Sequence, residues 1–222
     1  MRTLFLDLAS HHGLLACVTE ERILASQPVD HRIGDHELIP LFEKTLQTAG
    51  LQTGDLTHCA CIIGPGGFMS LRVAVAFANT LMHQLKIPGA GIHLSDLIAA
   101  RVCHGEPCRT MTDASVPSFD RAQDDTLLWL HSTKKHELFV RGFGSYASLW
   151  PEAAHVTVED FLAQVPSGAQ WAGELIPEHE ALFKDKKIRP AILRPAVEIL
   201  PAFLSQQSFA DTLLEPWYGR GW

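Results

Sequence analysis

The chain has 222 residues, 46% of them hydrophobic, enough for one large domain or two small lobes whose core needs no disulfide or metal to fold. Its 25 acidic residues outnumber 18 basic ones for a formal charge of −7, and the bases are scattered apart from Lys184, Lys186, Lys187 and Arg189, which argues against direct gripping of nucleic acid. Five cysteines without a C-x-x-C predict buried free thiols rather than a disulfide framework or a metal centre.

The opening MRTLFLDLAS carries an apolar run too short for a secretion signal, and Asp7 interrupts it. No stretch reaches the length of a membrane-spanning helix, so a soluble cytoplasmic protein without a membrane partner is expected. Residues 2–8, 13–20 and 22–29 read as three short strands, with Glu20-Glu21 turning between the second and third, hence an antiparallel meander. The period then changes. Leu38, Leu41, Phe42, Leu46 and Ala49 recur at helical spacing over 35–49, with Asp35 placed to cap and Gly50 to end the helix. HCACII (58–63) and IPGAGI (87–92) read as buried strands, and 93–103 as a helix capped by Ser95 or started just before it.

Residues 105–126 are rich in proline, aspartate and serine and read as a linker or a functional loop. They separate a first lobe, 1–104, from a second, 105–222. Beyond them, 126–132 and 137–143 predict a hairpin across Thr133–His136. A helix follows over 157–165 with Thr157 as its cap, then a strand over 169–175 that turns at Gly173. The tail from Pro195 holds one stretch of helical period, and no internal repeat of short period is visible. Meander followed by alternating helix and strand is the pattern of an α/β fold with mixed sheets.

The stretch GPGGFMSLRVAVAFANTLMHQLKIP (64–88) opens like a phosphate loop, since Gly64, Gly66 and Gly67 follow a strand and precede a helix. It lacks the G-x-x-x-x-G-K-[ST] pattern, so no lysine reaches phosphates and no hydroxyl reaches magnesium. The helix behind it, about 28 Å long, is apolar nearly all round until Asn79, His83 and Gln84. Such a helix is buried on more than one side, against its own sheet and against the 35–49 helix, a partner chain, or both. Ala74 and Ala78 form a small-residue face, and Val73, Phe77 and Leu81 a bulkier one. No nucleophile motif of the G-x-S-x-G kind is present. The histidines, with His11 and His12 adjacent on a turn and His31 and His36 five apart, lack metal-ligand spacing. Asp7 and Glu137 are the only carboxylates placed for acid–base work, and no catalytic residue is assigned.

These segments resemble the TsaB (YeaZ) family. The 64–88 stretch resembles that family's GPGSFTGLR segment and following helix. LFLDLASHHGLLACV resembles its strand–turn–strand opening with D-T-S at the turn, and ELIPLFEKTLQTAGLQTGDL its H-S-E-x-L-L-P helix. STKKHELFV is similar to its D-A-R-x-G-E-V-Y hairpin and EPWYGR to its P-x-Y-x-R tail, so the matches run in order over almost the whole chain. The resemblance implies an actin-like ATPase (ASKHA, ribonuclease H-like) fold of two lobes. It implies a non-catalytic subunit that activates a TsaD-type transferase, alongside a TsaE-type ATPase, in threonylcarbamoylation of the adenosine next to the tRNA anticodon. tRNA would be met only indirectly. Partner contact, with the TsaD-type paralogue or with a second copy, would run through Leu38, Leu41, Phe42, Leu46, Arg72, Val73, Ala74, Phe77, Ala78 and Leu81. No cofactor is implied beyond a weakly held or interface-shared ATP or ADP. The chain departs from the family where hydroxyls are expected: Leu8, Ala9, Gly67 and Met69 replace them. Asp7, Gly64, Gly66 and Gly67 then read as a vestigial nucleotide loop. An actin-fold small-molecule kinase using that loop is the alternative.

Overall fold

A computed structural model describes residues 1–29, 35–102 and 126–219. The chain divides into two compact units, Met1–Leu94 with Ala196–Tyr218, and Ser95–Pro195 with Gly219–Trp222. Residues 196–218 therefore belong with the unit built on the N-terminal segment, whereas the sequence reading assigned them to the second lobe. The 105–126 loop falls almost wholly outside the described residues.

The first unit is a five-stranded sheet ordered β3-β2-β1-β4-β5. The meander is β1 (Arg2–Asp7), β2 (Gly13–Thr19) and β3 (Ile23–Val29), antiparallel throughout. β4 (His58–Gly64) pairs parallel with β1, and β5 (Gly89–His93) parallel with β4. Helices α1 (Asp35–Ala49) and α2 (Phe68–Leu85) make the crossovers on one face. The period-two rule explains the layering. Leu4, Leu6, Leu15, Cys17, Cys59 and Cys61 point to that face and pack with Leu38, Phe42, Leu46, Ala74, Ala78 and Leu81. Phe5, Ala16, Val18, Ala60 and Ile62 alternate to the other face and are equally buried. The tail helix (Ala196–Ser205) lies against β2 and β3, with Ile199, Leu200, Phe203 and Leu204 inward. Cys17, Cys59 and Cys61 are free, buried thiols, as their apolar neighbours in sequence predict; Cys103 and Cys108 lie outside the described residues.

The second unit contains α3 (Leu94–Arg101, which starts just before Ser95) and another five-stranded sheet. Its hairpin, β6 (Leu127–Lys134) and β7 (Glu137–Phe143), turns at Lys135-His136. β8 (Ala154–Thr157) adds to β7, and α4 (Val158–Gln164) follows, capped by the Thr157 hydroxyl accepting from the Asp160 amide at 3.0 Å. β9 (Gln170–Glu174) returns parallel to β6. Helix α5 (Pro177–Asp185) leads to the two-residue β10 (Arg189–Pro190), and the C-terminal helix of the first unit is α6. The strand order is β10-β9-β6-β7-β8. Counted along each unit's own chain, both sheets are ordered 3-2-1-4-5 with the same pairing senses, so the fold is a duplicated unit. The sequence showed no trace of this repeat, because the duplication is kept in topology and not in residues. Helix α5 was also not anticipated, although Pro177 at its first turn followed by Glu178 and Glu180 is a start signal.

Candidate functional site

The carboxyl ends of β1 and β4 carry the two loops singled out from the sequence. Asp7 is 3% exposed and wholly engaged: one carboxylate oxygen accepts from the amides of Ala9 at 3.2 Å and Ser10 at 3.1 Å. Its other oxygen accepts from the Ser10 hydroxyl. A hydroxyl is thus present one position beyond the two substituted residues, and it serves the turn itself. The glycine loop packs directly on this turn. A side chain at Gly66 would stand 2.5 Å from the Ala9 Cβ and 2.7 Å from its carbonyl oxygen. Gly64, at φ +144°, leaves no room either, since a Cβ there would meet the Trp217 carbonyl oxygen at 2.1 Å. Both glycines answer a close approach of protein backbone.

Behind the loop, α2 turns a different face to solvent than its alanines suggested. Leu38, Phe42, Leu46, Ala74, Ala78 and Leu81 are buried in the unit's own core, Ala74 and Ala78 completely. They offer no surface to a partner in the folded monomer. Among the expected contact residues, Arg72 is exposed, and Leu41, Val73 and Phe77 are half-buried. The physical reason is phase: Arg72, Thr80 and His83 mark the polar stripe, and Ala74 lies about 200° around the helix from Arg72. Sequence reasoning passed over the apolar residues that share the polar stripe. These are Met69, 64% exposed, Phe68, 49% exposed, and Ala76; Ile39 on α1 is 47% exposed. The two helices follow strands of one direction and therefore run parallel, and the Phe42 and Phe77 rings meet edge to face at 5.3 Å between them. Arg72 lies over the Phe68 ring with its guanidinium carbon 5.4 Å from the centroid.

In the second unit the hairpin makes local pairs. Glu137 sits 3.3 Å from His155 Nε2 and 3.6 Å from Lys134 Nζ. Ser132 bonds His179 Nδ1 at 2.8 Å and accepts from the Ile176 amide at 3.0 Å, while His179 Nε2 reaches the Lys135 carbonyl at 3.0 Å. A carbonyl only accepts, so Nε2 carries the proton and Nδ1 accepts from the serine. Both imidazole nitrogens are then committed to fastening α5 to the hairpin, an arrangement that keeps Ser132 a structural hydroxyl. Among the described residues no three His, Cys, Asp or Glu side chains come together in a metal-holding group. No described helix is long and apolar enough to cross a membrane.

Comparison with known proteins bears on the fold and on parts of the sequence. A family model described as TsaD: tRNA N6-adenosine threonylcarbamoyltransferase matches residues 32–117. The chain is 32% identical over 65 residues to the tRNA threonylcarbamoyladenosine biosynthesis protein TsaB of Buchnera aphidicola subsp. Schizaphis graminum, covering 29% of this chain and 31% of that protein. It is 28% identical over 152 residues to the tRNA N6-adenosine threonylcarbamoyltransferase of Syntrophus aciditrophicus, covering 60% and 41%. The chain thus spans less than half the length of either curated relative. Among solved structures, YeaZ from Pseudomonas aeruginosa superposes with a TM-score of 0.60 at 16% identity, over 97% of this chain and 98% of that one. A second Pseudomonas aeruginosa structure, of a protein with similarity to peptidase YeaZ, gives 0.65 at 17% identity over 99% of both chains. The structural likenesses show the fold, the actin-like, ribonuclease H-like architecture that the family resemblance implies. Together, the family model and the curated relatives make parts of this chain similar to TsaD-type and TsaB proteins, and the solved structures give the whole chain a YeaZ-like fold.

Proposed function

We propose that this chain is a non-catalytic subunit in tRNA threonylcarbamoyladenosine biosynthesis, which pairs with a TsaD-type paralogue and, through that pair, with a TsaE-type ATPase. The observation that carries the reading is the outward face of α1 and α2. Ile39, Phe68 and Met69 are large apolar side chains at least 47% exposed, and Leu41, Val73 and Phe77 on the same two helices are half-buried. Large apolar side chains turned to solvent on a helix pair are the material from which a protein–protein surface is made. A homodimer through the same face is the form this surface would take without its partner. The alternative, a small-molecule kinase using the glycine loop, sits poorly with a loop whose inner side is filled by Ala9 and Trp217.

Co-purification with the TsaD-type protein of the same organism, followed by light scattering, tests the proposal. A complex of defined stoichiometry that is lost in Ala76→Arg, with the variant still folded, is the expected result. A chain that ignores that protein while holding ATP tightly would replace this reading with the kinase.

A further inference from the structure

Open α/β sheets bind ligands outside the carboxyl ends of their parallel strands. In the first unit those ends are Asp7 of β1, Gly64 of β4 and His93 of β5. The chain's own tail lies across the last two. Ala210 bridges Gly89 in both directions at 2.9 Å, which starts the tail along the open edge of β5. Asn79 of α2 then holds Leu214 by a reciprocal pair, its amide group donating to the Leu214 carbonyl and its carbonyl accepting from the Leu214 amide, each at 2.9 Å. The Trp217 amide donates to the Ile63 carbonyl at 2.7 Å, and its own carbonyl sits over Gly64. The Trp217 ring meets the His93 ring edge-on at 4.5 Å, and the Tyr218 ring meets Phe68 at 5.1 Å.

We infer that Leu214–Tyr218 is a built-in strap that takes the place of a ligand at the ends of β4 and β5. By doing so it fixes the glycine turn and the Phe68–Met69 end of α2 in the geometry that docks a partner. Asn79 and Trp217 are its positioning residues. The chemistry is specific: two backbone bonds from Asn79 set the strap's register, Trp217 caps the turn, and Tyr218 props the ring that the docking face exposes. The docking half of this inference rests on the function proposed above; the strap half does not.

Amide hydrogen exchange on the full chain separates the two. Asn79→Ala, which removes both hydrogen bonds to Leu214, and Trp217→Ala, which removes the ring contact to His93, are each expected to speed exchange at residues 66–71 about tenfold, while β1–β3 keep their protection. Unchanged exchange at 66–71 overturns the strap, and so does a loss of protection spread equally over β1–β3, which would make the tail ordinary core. In parallel, Trp217→Ala is expected to weaken pairing with the TsaD-type protein about tenfold, whereas Ala76→Arg weakens pairing without altering exchange. Faster exchange with unchanged affinity overturns the positioning role. A full chain that never pairs removes the docking half, and the exchange pattern alone then decides the strap.

Discussion

The two units share a strand order and differ in almost everything that fills it. The first is spanned by helices of 15 and 18 residues over an aliphatic core with three thiols. The second uses crossover helices of 7 and 9 residues, ends in a two-residue strand that contains a proline, and packs Trp150, Trp171, Phe161 and Phe183. Even their shared glycine is used differently. The fourth strand of each unit carries one at φ close to +140°, Gly64 at +144° and Gly173 at +141°. Gly64 admits the chain's tail, while Gly173 admits the Leu130 carbonyl of the neighbouring strand. The first unit thus has its glycine turn at a sheet end that other chain segments reach. The second closes the same position inside its own sheet. The duplicated topology sets where a site can be, and side-chain substitution decides whether one is built there.

The sharpest way to break this contrast is to charge the inner face of the first unit. Ala74→Arg places an unpaired guanidinium at a fully buried position and is expected to cost more than about 3 kcal/mol, unfolding the unit, whereas Ala76→Arg on the exposed face stays folded. Circular dichroism melts check it, and a folded Ala74→Arg would mean the assigned helix phase is wrong. Next in size, Phe161→Ala removes a ring packed on both Trp150 and Phe183 and is expected to cost about 3–5 kcal/mol. Urea unfolding followed by tryptophan fluorescence should show the second unit melting early; coincident transitions would show that the units unfold as one.

A smaller effect concerns how α3 is held within the second unit. Arg141 donates to Asp96 at 2.7 Å and to Ser95 at 2.8 Å. Burial pushes the Asp96 carboxyl above its usual range, against the opposing pull of that guanidinium. A raised carboxyl pKa means the folded chain holds the proton more tightly than the unfolded one. Its contribution is therefore fullest in acid and falls as pH rises through the ordinary value of about 4 toward the folded one. Asp96→Asn should flatten that slope by under about 1 kcal/mol, since the pair is partly solvated. Parallel stability curves from pH 4 to pH 7 would unlink the group. The smallest effect is at His58 in the first unit, whose imidazole is held below its usual range first by burial and then by the N-terminal ammonium, with Glu20 opposing. Here the stability is lost as pH falls through about 6.5, where the unfolded chain takes up the proton first. An NMR titration of the His58 ring with a midpoint at or above that value would reject the sign.

The sequence carried most of the fold because its signals are local. The meander, the crossover helix with Gly50 behind it, the hairpin and the Thr157 cap each depend on a few neighbouring residues, and each stands where periodicity and turn chemistry put it. The small residues of α2 were less legible. Ala74 and Ala78 signal close approach of something, and only the position of β4 and β1 beneath them says that it is the sheet. The Ser132–His179 lock joins residues 47 apart, and the Asn79–Leu214 pair joins residues 135 apart, so no spacing in the chain announces either.

An α/β chain, the element order of its first lobe, buried free thiols and a glycine turn without phosphate-loop chemistry were all legible in the residues alone. Those properties follow from residue type and short-range spacing. The duplication of the unit, the return of the tail to the first sheet, and the exposure of Phe68, Met69 and Ile39 where Ala74 and Ala78 are buried emerge at the tertiary level. Each of these depends on which distant segment covers which side of a helix or strand, and that is settled by packing of the whole core.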